Sequence, residues 1–111
     1  MSGGPDGGGG GGIGGGPDGY DCAKLRFEAQ LTSPQPAAVA ALAEGNVLDI
    51  TIATMKGQVV VQVLKKDQVV GGLAGPDASR LRNCMEEGKR YIATVLVING
   101  GQVRVLVERT L

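Results

Sequence analysis

Residues 47–73 read VLDITIATMKGQVVVQVLKKDQVVGGL, which is three short apolar runs separated by two sets of turn residues. In the first run Leu48, Ile50 and Ile52 alternate with other residues, which is the pattern of a β-strand with one buried face. Lys56-Gly57 and Lys66-Asp67 fall in the two breaks, where the chain must turn. The stretch therefore predicts three consecutive antiparallel strands, over residues 47–54, 58–64 and 68–73.

The middle run is almost continuously β-branched between residues 59 and 63. Continuous apolar strands are typical of strands that are covered on both faces or lie centrally in a barrel. We therefore expect this strand either to be covered on both faces or to lie centrally in a barrel. The next strand ends in Gly71-Gly72, and glycine inside a strand indicates a bulge or the close approach of another backbone.

Two helices are predicted between the strands. The shorter helix covers residues 37–44, with Thr32 or Ser33 available to cap its N-terminus. The longer helix begins at Asp77, whose carboxylate suits the positive end of the helix dipole, and it ends at Gly88. Its apolar stripe consists of Ala78, Leu81, Cys84 and Met85.

The remaining strands complete the order β-α-β-β-β-α-β-β. Residues 24–31 alternate as a strand, and residues 91–98 and 102–107 flank Asn99-Gly100, a strong hairpin signal. Short strands joined by tight turns favour an α+β domain. We expect a small, strongly curved antiparallel sheet or a partly open barrel, with one main helix packed on it.

The first 19 residues differ from the rest in composition. They contain twelve glycines, and the sequence Gly-Gly-Pro-Asp-Gly occurs at residues 3–7 and again at 15–19. Because Ile13 is the only internal large apolar residue, the segment cannot bury enough surface to offset the entropy of ordering it. We expect a disordered tail over residues 1–19 and a single domain over residues 20–111. The tail is either a spacer or an addition without a role.

The charge balance argues against strong nonspecific binding to nucleic acid. Asp6 and Asp18 lie in the tail, so the domain has 11 basic and nine acidic residues. A protein bound to duplex DNA through phosphate contacts alone is usually far more basic. The N-terminus lacks a signal-peptide pattern, and no apolar run approaches the ~18 residues of a membrane span. We expect a cytoplasmic protein that does not contact a membrane.

The sequence lacks the residues that most catalytic and metal sites need. It has no histidine, which excludes Ser-His-Asp and Cys-His arrangements and any histidine metal site. Cys22 and Cys84 are far apart rather than in a C-x-x-C pair, so they predict neither a zinc site nor a redox motif. We interpret them as two reduced thiols, with Cys84 as a small core residue. The alternative, a Cys22–Cys84 disulfide, would need an oxidising compartment, which nothing in the sequence indicates. The chain is therefore predicted to be no enzyme and to use no cofactor.

One glycine-rich loop requires separate consideration. Residues 71–75 follow a strand and precede a helix, which is the context in which a loop cradles a phosphate. The loop lacks the Gly-Lys-Ser/Thr ending of a P-loop, and Asp77 would repel an anion placed at that helix end. We therefore interpret residues 71–75 as an ordinary turn.

Basic residues provide the candidate site. A few cations from different elements could contact phosphates, and a tyrosine could stack on a base, if the fold brings them together. Otherwise they are scattered solubilising charges. The candidate nucleic-acid contacts are Lys65, Lys66, Arg80, Arg82, Lys89, Arg90 and Tyr91.

The spacing Gly45-x-x-Leu48, followed by Val70-Gly71-Gly72-Leu73, a helix and Gly88-x-x-Tyr91, resembles the HIRAN domain over most of residues 25–107. HIRAN is a small β-rich module of bacteria and replication-fork helicases. The resemblance implies binding of single-stranded DNA 3′ ends. Residues 53–58 depart from the Asn-x-x-Asp-x-x-Ala stretch usual in that family. The chain is also similar to short bacterial proteins with glycine-rich N-termini, a likeness that implies no particular role.

Three functions are consistent with these observations. The first is a non-catalytic binding or adaptor module that engages a partner protein. The second is a HIRAN-like accessory domain that binds single-stranded DNA or DNA ends. The third is a self-assembling structural unit, which requires the last strand, residues 103–111, to lie at a sheet edge where a second chain could pair with it.

Overall fold

A computed structural model describes residues 22–110. The predicted disordered tail, residues 20–21 and residue 111 lie outside the described residues. The described residues begin with a 3-10 turn at Cys22–Lys24. The two helices are α1 at Pro36–Val39 and α2 at Pro76–Glu86. The strands are β1 Arg26–Gln30, β2 Val47–Met55, β3 Gln58–Lys65, β4 Gln68–Leu73, β5 Tyr91–Asn99 and β6 Gln102–Arg109.

The strands form one antiparallel sheet with the order β1-β6-β5-β2-β3-β4. The sheet is not closed. The segment that follows β1 forms one isolated bridge with the other edge strand, β4, in which the Thr32 N–H donates to the Gly72 carbonyl at 2.8 Å and the Gly72 N–H donates to the Thr32 carbonyl at 2.9 Å. The prediction of a small antiparallel sheet with one main helix in an α+β domain is confirmed.

The last strand lies inside the sheet. β6 pairs with β1 on one side, where Glu28 is opposite Leu106, and with β5 on the other, where Ala93 is opposite Val107. The prediction that residues 103–111 form a sheet edge is therefore wrong for the described part of that strand. The self-assembly hypothesis loses the feature that motivated it, because a strand with two neighbours has no free backbone groups to offer.

The core lies on one face of the sheet, beneath the two helices. Ala78, Leu81 and Cys84 of α2 are buried and Met85 is partly buried, which confirms the predicted apolar stripe. The sheet supplies β-branched side chains to the same cluster, such as Val63 of β3. Among the described residues, no charged or polar residue is buried as a whole.

The first helix is shorter than predicted, and its predicted cap is wrong. α1 begins after Gln35, which makes no side-chain capping bond. Thr32 takes part in the bridge to Gly72, Ser33 has a φ of 46°, and the Gln35 N–H donates to the Val70 carbonyl at 2.8 Å. Residues 32–35 therefore cover the outer edge of β4 instead of starting the helix.

Gly71 and Gly72 of β4 allow this segment to pack closely against the strand. The register of β4 on β3 shifts next to Val63, so the predicted irregularity is present. A Cβ on Gly71 would lie 3.0 Å from the Thr32 carbonyl oxygen, and one on Gly72 would lie 3.0 Å from the Thr32 Oγ1. The predicted close approach of another backbone is thus confirmed, and the approaching segment is residues 31–32.

The two cysteines form a disulfide, so the prediction of reduced thiols is wrong. The Cα atoms of Cys22 and Cys84 are 5.7 Å apart, and the described residues contain no free cysteine. Cys84 is a core residue, as predicted, and the bond fastens the start of the domain to α2. The Tyr91 hydroxyl reinforces this junction by donating to the Cys22 carbonyl at 2.6 Å.

We expect Tyr91→Phe to lower the free energy of unfolding by about 1 kcal/mol, because it removes the shorter of the two hydrogen bonds to the Cys22 carbonyl and leaves only the one from the Leu25 N–H at 3.3 Å. Urea denaturation of the oxidised protein measures the change. Since phenylalanine retains the buried ring, Tyr91→Leu should cost more than Tyr91→Phe. A Tyr91→Phe protein as stable as the wild type would show that water replaces the hydroxyl at this junction.

Candidate functional site

Three adjoining cavities form a groove that runs from α1, past β3 and β4, to the first two turns of α2. We call it the β3–β4 groove. The cavities adjoin because neighbouring ones share lining residues. The α1-side and central cavities share Gln35, Met55, Gln62 and Val69. The central and α2-side cavities share Val60, Val61, Leu73 and Ala74.

The central cavity has a volume of ≈ 320 Å³. Val60, Val69 and Gly72 line it from β3 and β4, and Thr32 and Ser33 line it from the segment that covers the β4 edge. The bridge between Thr32 and Gly72 holds that segment in place.

The α1-side cavity has a volume of ≈ 450 Å³, and three glutamines line it. The Gln62 amide donates to the Met55 sulfur at 3.2 Å, and the Gln35 amide donates to the Ser33 carbonyl at 2.9 Å. Gln68 lies in the same lining. A glutamine amide offers two donors and an acceptor, so these side chains can bond a ligand backbone in either direction.

The α2-side cavity has a volume of ≈ 240 Å³. Its walls are mainly apolar, and Val59 stands 43 % exposed at its edge. The α2 helix contributes Ser79 and Arg82 one turn apart. No carboxylate lines any of the three cavities in the described part of the chain, and Arg82 is their single charged residue.

The groove explains the composition of β3. Residues 59–63 were expected to be covered on both faces or to lie centrally in a barrel, but among the described elements only the inner face of β3 is covered. Val61 and Val63 are buried in the core, whereas Val60 is half-buried and lines the groove. The continuous apolar run is the sequence signal for this surface, and the sequence analysis did not connect it with a binding groove.

The basic candidates are placed apart. The Lys65 ammonium donates to the Ala41 carbonyl at 2.8 Å and to the Asn46 side chain at 3.2 Å, which ties the loop after α1 to β3. Lys66 is exposed in the turn before β4. Arg80 lies on α2, beyond the other end of β4, and pairs with Asp77 at 3.3 Å. A six-residue strand of ~20 Å separates the two groups along the chain.

The remaining four candidates lie in the loop after α2, in the core and in the groove. Lys89 and Arg90 form the loop after α2, where Arg90 is exposed. Tyr91 is 3 % exposed, so its ring is inside the core and is not presented to a base. Arg82 is the single member of the candidate set that lines the groove.

Residues 22–110 contain no group of three or more histidine, cysteine or carboxylate side chains placed to hold a metal ion. They also contain no helix that is long and apolar enough to cross a membrane.

Comparisons with models of protein families, with curated proteins and with solved structures give no match to this chain. The HIRAN resemblance therefore stays a prediction. The groove and its chemistry are the basis for assigning a function.

Proposed function

We propose that the chain is a non-catalytic binding module that holds an extended segment of a partner protein in the β3–β4 groove. The observation that carries this proposal is the groove itself, a line of three adjoining cavities with one charged residue in its lining. An extended segment with uncharged side chains matches that length and polarity.

The chemistry of the lining supports a peptide ligand. Apolar side chains such as Val60 and Met55 provide area to bury, and the two larger cavities fall within the ≈ 300–1,000 Å³ of typical ligand pockets. The glutamine amides supply donors and acceptors for a peptide backbone. A few polar groups in a mainly apolar concave surface are typical of sites that fix the orientation of their ligand.

The disulfide is relevant to the cellular compartment in which this binding takes place. Disulfides persist in oxidising environments and are rare in the cytosol, where thioredoxin and glutathione keep thiols reduced. The Cys22–Cys84 bond therefore supports an oxidising compartment over the expected cytoplasmic location. We include such a compartment in the proposal.

A displayed library of random eight-residue peptides tests the proposal. Peptides selected on the oxidised wild-type protein should bind Val60→Lys at least tenfold more weakly, because a lysine at position 60 fills the groove and places a charge in it. Affinities of synthetic copies are measured by fluorescence anisotropy.

The matched control is Val47→Lys. Val47 is 60 % exposed on the neighbouring strand β2 and lines none of the three cavities, so this variant should bind within about twofold of the wild type. Equal losses in the two variants, or no enriched peptide, would contradict the proposal. Binding to short single-stranded DNA at ~50 mM salt that weakens steeply with added salt would favour the HIRAN-like function instead.

A further inference from the structure

One buried hydrogen-bond donor of Arg82 has no acceptor in the described part of the chain. This arginine is half-buried on α2, and its Nε is buried with no hydrogen-bond partner among the described residues. Three other arginines in that part of the chain, Arg26, Arg80 and Arg104, have carboxylate partners at 3.1–3.5 Å. A guanidinium cannot lose its charge, and none of the ion pairs among the described residues includes Arg82, so Arg82 brings a positive charge without a counter-charge to the α2-side cavity.

The residues around Arg82 indicate which kind of ligand would pair with it. Leu73 and Ala78 form apolar walls beside it, and the Ser79 hydroxyl is the nearby polar side chain in the same lining. Asp77, which was expected to repel an anion at this helix end, pairs with Arg80 and does not line the cavity. The site therefore combines one unpaired positive charge with an aliphatic wall.

We propose that the α2-side cavity binds the free C-terminal carboxylate of the partner segment, together with an aliphatic last side chain. This inference rests on the proposed function. Carboxylates match the planar fork of a guanidinium through two parallel hydrogen bonds. Arg82 is thus a specificity-determining residue that sets the direction of the bound segment.

The size of the cavity supports a chain terminus. Its ≈ 240 Å³ is below the range of pockets for drug-sized ligands, so it holds about one residue. The central cavity continues from it across Val60 and Val61, which leaves a path for the preceding residues of the chain. A free small acid would leave that path empty.

Nuclear magnetic resonance of the arginine Nε–H groups tests the recognition directly. The probes are N-acetyl-L-leucine and its carboxamide, which differ only in the terminal charge. At millimolar concentrations the carboxylate should shift the Arg82 resonance at least threefold more than the amide does. Arg80, on the same helix but outside the cavity lining, should shift with neither. An Arg82 resonance that responds equally to both probes, or to neither, overturns the inference.

Selected peptides provide the second readout. With a free carboxylate they should bind the wild type at least tenfold more tightly than their carboxamide forms. Arg82→Gln should bring this ratio to about one, and the control Arg80→Gln should preserve it. Should Arg82→Gln fail to fold, the comparison of the two peptide forms on the wild type still decides.

The two proposals fail in different ways. Equal affinities for carboxylate and carboxamide, with binding still lost in Val60→Lys, reject terminal recognition and leave the groove as the binding site. The absence of any peptide that depends on Val60 rejects the proposed function. In that case the response of Arg82 to N-acetyl-L-leucine still shows whether the cavity takes a carboxylate.

Discussion

Cys22→Ala is expected to lower the free energy of unfolding by about 4 kcal/mol. The disulfide joins residues 62 apart, and closing a loop of that length removes about this much entropy from the unfolded chain by the loop-closure estimate. A domain of this size is stable by ~5–15 kcal/mol in total, so the loss is a large fraction of what holds it together. Cys22 is the better residue to replace because it is less buried than Cys84.

Urea denaturation of the oxidised wild type and of Cys22→Ala measures the difference. The wild type in excess dithiothreitol is the matched control. It should unfold at the midpoint of Cys22→Ala, since the same covalent link is absent. A difference below ~1 kcal/mol between wild type and variant would mean that strain in the folded state or residual structure in the unfolded chain offsets the loop-closure effect.

The disulfide marks one limit of sequence reasoning in this chain. Cys84 could be assigned to the core from its position in the apolar stripe of α2. Whether it bonds to Cys22, the one other cysteine, could not be decided, because only the folded chain shows that residues 22 and 84 come together. Spacing rules detect ligand pairs within one loop, and they give no information about two cysteines on separate elements.

Local patterns, by contrast, predicted the elements well. The strand over Gln68–Leu73 and the hairpin around Asn99-Gly100 follow from residues close in sequence, and the structure contains both. The sheet order was harder, because β1 pairs with the far end of the chain, Glu28 opposite Leu106. Alternation of apolar residues shows which face is buried but not which strand lies alongside, so residues 103–111 were wrongly placed at an edge.

The groove could not be predicted from the sequence for a related reason. A continuous apolar strand predicts that both of its faces make contacts, and it does not show whether the second contact lies within the chain or with another molecule. Val60 belongs to this outer face. Arg82 was selected as one of several cations, yet the feature that distinguishes it is an unpaired buried nitrogen, which requires coordinates to recognise.

Gly71→Val is expected to lower the free energy of unfolding by about 3 kcal/mol. A Cβ at this position would lie 3.0 Å from the Thr32 carbonyl oxygen and 3.1 Å from the Leu31 Cβ, and valine adds two methyl groups. Such overpacking costs ~1–3 kcal/mol by itself. Because residues 31–32 must move away, the bridge between Thr32 and Gly72 also weakens, at about 1 kcal/mol for each of its hydrogen bonds.

Urea denaturation measures this cost, and hydrogen exchange locates it. The Thr32 and Gly72 amides should lose protection in Gly71→Val, while amides of the β5–β6 pair keep theirs. Since residues 32–33 form a wall of the central cavity, peptide affinity should fall in parallel.

Gly101→Val is the matched control for Gly71→Val. A Cβ on Gly101 meets nothing within 4 Å, and Gly101 does not have the positive φ that Gly100 has. Its stability should therefore stay within about 0.5 kcal/mol of the wild type. If Gly71→Val also changed the free energy of unfolding by less than about 0.5 kcal/mol, residues 31–32 would accommodate a larger side chain without cost. The contact of residues 31–32 with β4 would then not depend on glycine at position 71. Loss of stability confined to Gly71→Val, with exposure of the Thr32 amide, would show that this close approach holds the wall of the groove.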